Sequence, residues 1–485
     1  MRRTLPILVL TALAASCTVG PDYQEPPAQM PEEWKEPLPP GAEATTDDAA
    51  LASWWTAFGD PELAALVKAA IEGNRNLAQA EARIREARAF RELAAAEGRP
   101  NLSFGAQGQR RRTSGNTDLN PSLNGITTNF FSLGFDASWE LDLFGGIRRS
   151  VEAAEADIAA AEEDRRDLLV TLLGEVGRDW IVARGTLRRL VIARDALASQ
   201  SDTASLTRAR RDAGMASDLD LARAEALVSG TEATIPALQV DFAVATHALD
   251  VLLGSPPGTA EALLTGADVV PPPPPRVPVG LPSDLLRRRP DIRRAERQLA
   301  AATARIGVAQ AAEYPTFSLT GSVGQSALDT GRLFEPDSRT WTLGAGLDWP
   351  ILQGGGLSAQ VAIADAEAEQ LLYAWQSTVL VALQESHDAL VAFGREQERR
   401  TSLAKAATSQ RQAADLARQR HAAGLSDFLD VLDAERNELS AEDELAQSEV
   451  LLASDAVALY KALGGGWTEE TEGGGSGEQE AGAAP

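Results

Sequence analysis

Three histidines, one cysteine and 70 acidic side chains hold most of the chemistry this 485-residue chain could offer. His247, His387 and His421 each stand alone in a helical stretch, without the paired spacing that a metal site needs. Each therefore reads as a solvated or core-edge histidine, and no metal or other cofactor is expected. The chain has no Walker lysine loop, no H-E-x-x-H and no G-x-S-x-G. Gly344-Ala345-Gly346 lies inside an alternating strand pattern and opens no nucleotide fingerprint. An enzyme is not expected. The carboxylates do form a pattern: Gly214 and Gly424 end two long helical stretches, with Asp218 and Asp220 after the first and Asp427, Asp430 and Asp433 after the second. An aspartate near a helix start can cap it and complement its dipole. Asp430 and Asp433, three apart, also share one helical face, and around a symmetric pore they would make a cation-selecting acidic ring. Both readings stand, the ring applying more to Asp430 and Asp433 than to Asp220.

The elements that must position these residues are written twice. An offset of 210 places Leu133, Gly134, Trp139 and Gly146 on Leu343, Gly344, Trp349 and Gly356. The same offset places Arg210, Gly214, Asp220 and Glu225 on Arg420, Gly424, Asp430 and Glu435. One register held this far marks an internal duplication. In each copy a helix leads to two strands, then a long helix and a shorter one. The first copy spans 61–265 and the second 283–464. After Gly145-Gly146 the helical pattern runs without proline to Ala213, roughly 100 Å at 1.5 Å per residue, and argues for a coiled-coil wall. The first helix, from Asp60-Pro61 to about Gly98, and the helix from Asp218 to about Leu253 are each about half as long.

Residues 131–143 alternate apolar Phe131, Leu133, Phe135, Ala137, Trp139, Leu141 and Leu143 with polar or acidic neighbours. Trp341 to Ile351 repeats the alternation, and shorter partners precede at Leu102–Ala106 and Phe317–Val323. A soluble amphipathic sheet is one reading; Trp and Phe near the strand ends favour lipid-facing strands. The polar stretches 108–126 and 326–339 read as exterior loops.

Arg2-Arg3, an apolar run from Leu5 to Leu13 and small residues before Cys17 read as an export signal over 1–16. Cys17, the only cysteine, then sits where a lipidated first residue belongs. Residues 17–60 form a Pro-rich tether, 266–282 a Pro-rich connector with Pro271–Pro275, and 465–485 a disordered tail. No later stretch reads as a membrane helix, so a bilayer could be crossed only by strands. Four strands per chain cannot close a barrel, whereas three chains give twelve. A formal charge of −25 excludes a nucleic-acid surface and agrees with a cation-tolerant aqueous path.

Three stretches carry a resemblance: Cys17-Thr18-Val19-Gly20-Pro21-Asp22-Tyr23, the run Gly280 to Ile292 containing Arg287-Arg288-Arg289-Pro290, and the turn Gly424 to Glu435. Through them the chain resembles the TolC-type outer-membrane efflux proteins of the NodT-like lipoprotein subfamily. The resemblance implies an α+β membrane fold: a trimeric 12-stranded β-barrel continued by a long α-helical periplasmic tunnel. It implies a homotrimer held in outer-membrane lipid that meets a periplasmic adaptor (membrane fusion) protein and an inner-membrane RND-type pump. It places Gly214 and Gly424 at the adaptor-docking tip and Asp220, Asp430 and Asp433 at the pore gate. Some members lock the gate with a Tyr and an Arg; His421 and Ser426 occupy those places here. The expected function is a passive exit duct for small molecules, with a type I protein-secretion channel and a periplasmic coiled-coil adaptor as the alternatives.

Overall fold

The computed structural model describes residues 18–116, 125–264 and 269–468. The signal stretch, Cys17, part of the connector and the tail from 469 onward lie outside the described residues. Each copy repeats one order of elements. The first contains α1 (Pro61–Gly73), α2 (Arg75–Glu97), β1 (Asn101–Arg112), β2 (Thr127–Leu141), α3 (Gly146–Asp212) and α4 (Asp218–Leu252). The second contains α5 (Leu285–Arg288), α6 (Pro290–Ala311), β3 (Thr316–Ala327), β4 (Arg339–Asp348), α7 (Gly356–Ala422) and α8 (Phe428–Ala462). The chain divides into two compact units, and α2, α3, α6 and α7 each contribute residues to both.

The first unit comprises Met1–Pro27, Arg83–Glu162 and Arg294–Gln376 and contains the antiparallel sheet β1-β2-β3-β4. The register sets Phe104 opposite Phe135, Phe135 opposite Val323, and Val323 opposite Trp341, so one face is apolar on all four strands. Strand β1 is longer than the sequence suggests, because Arg110, Arg111 and Arg112 pair with Asn129, Thr128 and Thr127. At the centre, where the two copies meet, Gly134 faces Gly324. A Cβ on either would lie 2.7 Å or less from a backbone oxygen of the other strand, so only glycine permits this close approach.

The second unit comprises Ala28–Ala82, Glu163–Arg293 and Ser377–Pro485. Its core gathers Trp54, Trp180, Tyr460, Phe393 and the leucines of α1, with Trp54 stacked on Tyr460 at 5.6 Å. Helix α3 buries Leu172, Leu173, Val176, Trp180 and Ala183, as its apolar pattern requires. The single helix expected from Asp60 to Gly98 is in fact two. Asn74 takes an extended ψ of 126°, and its Oδ1 accepts from the N–H groups of Asn76 and Leu77, capping α2. Helix α4 is long and apolar enough to cross a membrane by composition, contrary to the sequence reading. Glu232, Asp241 and His247 interrupt its exposed surface, the Asp250 carboxylate is buried and accepts from the Gly258 and Ala260 N–H groups, and Leu238 packs on Leu190 and Ala193 of α3.

The Pro-rich segments are bound along the protein. In the first unit, Arg149 donates to the carbonyls of Val19 and Gly20 and to Asp22, and Tyr23 donates to Glu296 at 3.0 Å. Burial, with Glu296 alongside, pushes the Tyr23 phenol pKa upward. In the second unit, Ala42–Glu43 of the tether pairs in parallel with Val277–Pro278 of the connector, and Trp34 donates to the Gly280 carbonyl. The tail departs slightly from its expected start: Gly465 to Thr468 are placed, with the Trp467 ring under Arg166 and Arg293.

Candidate functional site

The two turns marked by Gly214 and Gly424 are the same structure. Gly214 has φ +72° and Gly424 φ +73°, the left-handed conformation glycine adopts without a side-chain penalty. The Gly214 and Met215 N–H groups donate to the carbonyls of Arg211 and Arg210. Gly424 and Leu425 repeat this on His421 and Arg420. These paired bonds form a Schellman motif and satisfy carbonyls that the helix end leaves open. Each turn thus reverses the chain using backbone alone.

The helix starts beyond the turns differ. At α4, Ser217 and Asp220 form a reciprocal capping box: the Asp220 N–H donates to Ser217 Oγ, while Asp220 Oδ2 accepts from the Ser217 backbone and hydroxyl. These bonds hold the Asp220 carboxyl pKa below its usual value. The corresponding pair in α8 is Asp427 and Asp430. Asp427 is the N-cap but makes no side-chain cap bond. Asp430 is exposed and has no hydrogen-bond or ion-pair partner among the described residues. Asp433 pairs with Arg436 on the surface at 3.0 Å, a contact of little energetic weight.

His421 joins the two turns, which the spacing of the histidines did not reveal. Arg210 donates to His421 Nε2 at 2.6 Å, so Nε2 is the acceptor and Nδ1 carries the proton toward the Ser426 carbonyl at 3.1 Å. At the places where the resemblance set a Tyr–Arg lock, His421 bridges the two copies through Arg210, and Ser426 offers its carbonyl to the same ring. His387 meets Trp34 edge-on at 5.2 Å, and His247 is exposed on α4. Among the described residues no group of His, Cys, Asp and Glu could hold a metal.

In the first unit the sheet presents two chemically distinct faces. One carries Leu102, Phe104, Phe135, Val323, Trp341 and Leu343, all exposed. The apolar run from Phe131 to Leu141 covers about 34 Å of strand, or about 25 Å at a tilt near 45°, the height of a barrel's apolar band. Trp139 and Trp349 turn their indole N–H groups to the carbonyls of Gly98 and Glu313, with their rings at one end of this band. The opposite face carries small polar side chains around a cavity of about 330 Å³ lined by Asn101, Ser103, Asp136, Thr320 and Ser322. Val19 donates to the Phe144 carbonyl just beyond β2, which brings the first described residues to that same end.

A sheet apolar outside and hydroxyl-rich inside, joined to 67-residue helices, is the α+β architecture of TolC-like outer-membrane channels. The chain belongs to the outer membrane efflux protein family, which matches residues 66–255 and 281–465, one match to each copy of the repeat. It is 35% identical to Nodulation protein T of Rhizobium leguminosarum bv. viciae over 96% of this chain and 93% of that protein. It is 34% identical to the pyoverdine export outer membrane protein OpmQ of Pseudomonas putida, over 96% of this chain and 97% of that one. The solved outer-membrane channel OprN superposes with a TM-score of 0.84 at 38% identity, covering 93% of this chain and all of OprN. The protein is an outer-membrane efflux component that extends into the periplasm, and its family is one of ducts.

Proposed function

We propose that three copies form a passive exit duct for small molecules, fed by an inner-membrane RND-type pump through a periplasmic adaptor. The observation that carries this is the four-stranded sheet, whose β1 and β4 edges are both open. An open edge in lipid leaves backbone N–H and C=O groups unpaired at several kcal/mol each, so the sheet must close with others. Three copies give twelve strands, an even number within the range of such barrels. The inner face around Ser103, Asp136, Thr320 and Ser322 is polar, as an aqueous lumen requires. Export of a small molecule by OpmQ, named for pyoverdine, supports a similar class of cargo.

Within this duct, Cys17 carries the lipid anchor; the residues that follow it, Val19, Gly20 and Asp22, are bound by Phe144 and Arg149 next to the sheet. Residues 61–265 and 283–464 act as the two structural repeats. The Gly214 and Gly424 turns meet the adaptor. Asp430 and Asp433 line the constriction; Asp220, committed to its capping box, contributes less. Single-channel recording in planar bilayers tests the reading, with discrete cation-selective openings as the expected result. Folded protein that never conducts, even after the turns at Gly214 and Gly424 are cut back, would refute it.

A further inference from the structure

The apolar face of the sheet changes character at the end away from Trp139, Trp349 and the helices. On β1 this face runs through Leu102, Phe104, Ala106, Gly108, Arg110 and Arg112, because strand side chains two apart point the same way. On β4 Arg339 precedes Trp341 and Leu343 on the same face. Arg110 pairs with Asn129 and Arg339 with Gln325. Asn129 and Arg339 are equivalents in the repeat, each one row beyond the apolar band that starts at Phe131 or Trp341. All three arginines are exposed, and none of their guanidinium groups has a hydrogen-bond or ion-pair partner among the described residues. Elsewhere in this chain of net charge −25, Arg149, Arg189 and Arg418 meet carboxylates. The carboxylates of the adjoining loop, Asp329, Glu335 and Asp337, are exposed and pair with none of the three.

Closing the proposed barrel gathers these charges. The two copies of the repeat join through β2 and β3, where Phe131 faces Ala327 and Leu133 faces Gln325. Because Phe104 faces Phe135 and Leu319 faces Ala345, Arg112 and Arg110 are the equivalents of Ala327 and Gln325. Carried over to β4 and the β1 of a second copy, the same register sets Arg112 opposite Trp341 and Arg110 opposite Leu343. Arg339 then lies diagonally from that Arg112 at about 7–8 Å, and Arg110 stands about 7 Å along the strand from it. Three like charges this close, beside hydrocarbon and with no carboxylate among them, repel one another unless an anion joins them. We propose that each β4–β1 junction binds the phosphate groups of an outer-leaflet lipid. This rests on the proposed duct, which turns the apolar face to lipid and this end of the sheet outward. A guanidinium fork matches phosphate oxygens in pairs. Three such charges suit a lipid with two phosphomonoesters, each of about −1.5 to −2, better than a zwitterionic phosphodiester. Arg111 lies between two of the arginines in sequence but on the opposite face, and takes no part.

Native mass spectrometry of the full-length protein in detergent, titrated with lipid A bearing both of its phosphates, tests this. The trimer should take up three lipids. Arg110→Gln, Arg112→Gln and Arg339→Gln should each weaken uptake by about tenfold or more, the loss expected for a charged hydrogen bond, and the triple variant should bind least. Arg111→Gln should leave uptake unchanged, and heat-modifiable gel mobility checks that every variant is folded. Lipid A with one phosphate removed should bind more weakly, and phosphatidylcholine should not bind. In trimeric particles, parental uptake by the triple variant would overturn the site and leave the duct standing. A loss caused by Arg111→Gln instead would overturn the site together with the assignment of the sheet's faces. Monomeric particles would overturn the trimer and the shared site alike. Inorganic phosphate that displaces lipid A at equal concentration would assign the site to a free anion and overturn the lipid as its occupant.

Discussion

Placing an arginine at Val323 tests which face of the sheet meets lipid. Val323 is 60% exposed and paired with Phe135, on the face shared by Trp341 and Phe104. Phe135 lies four residues from Phe131 and six from Leu141, so Val323 sits about 10 Å from one edge of the apolar band and about 14 Å from the other. An arginine near the bilayer midplane costs about 2–4 kcal/mol in such a barrel. Three copies per barrel bring this to about 6–12 kcal/mol, enough to abolish folding under mild urea. Ser322→Arg, one residue earlier and on the hydroxyl-lined face, keeps its charge in water and should change stability by less than about 1 kcal/mol per chain. Urea titration of vesicle-refolded protein, read by heat-modifiable gel mobility, measures both. Equal losses, or a larger loss from Ser322→Arg, would show that the two faces are assigned the wrong way round.

Two further outcomes follow from the helical unit. Replacing Asp430 and Asp433 together by Ala should lower cation preference and relieve block by multivalent cations in single-channel records; unchanged selectivity would remove both from the constriction. Asp455 borders a cavity of about 420 Å³, and burial, with Glu396 nearby, raises its pKa to about 6. The native state therefore holds this proton more tightly than the unfolded chain, so stability falls as pH rises from about 4 to 6 and stays lowered above that. Asp455→Asn should remove the penalty, a gain of about 1 kcal/mol per chain after discounting for a half-buried position. Melting curves at pH 7.5 should separate variant from parent, and curves near pH 4 should converge; a constant difference would reject the desolvated carboxyl.

The sequence showed the repeat, the two long helices and the apolar strand faces because each is a periodic side-chain signal. It concealed whatever depends on backbone or on distant pairing. Asn74 breaks a helix through its own amide and the carbonyl of Leu252, 178 residues away. Arg110 to Arg112 look like loop because charge masks their place at a strand end, where the ladder needs only N–H and C=O groups. Pairing between Ala42–Glu43 and Val277–Pro278 leaves no periodic trace. At the turns, both glycines and all the aspartates were visible. What spacing could not show is that Ser217 claims Asp220, or that Arg210 reaches His421 across the repeat.

The contrast between Ser217 and Asp427 explains why one copy's carboxylate is engaged and the other's is free. Both are N-caps, and the third residue beyond each is an aspartate, Asp220 or Asp430. A serine hydroxyl can donate to that carboxylate while accepting its backbone N–H; an aspartate at the same place brings a second negative charge and no donor. The two turns therefore share one backbone conformation while only Asp220 is held by capping. Placing a serine at the second N-cap should engage Asp430 as well. Asp427→Ser is expected to close a capping box on Asp430, slow hydrogen exchange of the first turn of α8 and stabilise its start by about 1 kcal/mol. It should also weaken cation preference in single-channel records, although both carboxylates proposed to line the constriction remain in the chain. Slowed exchange with unaltered selectivity would mean that Asp430 does not face the ion path. Unchanged exchange would mean that the serine alone does not decide the cap.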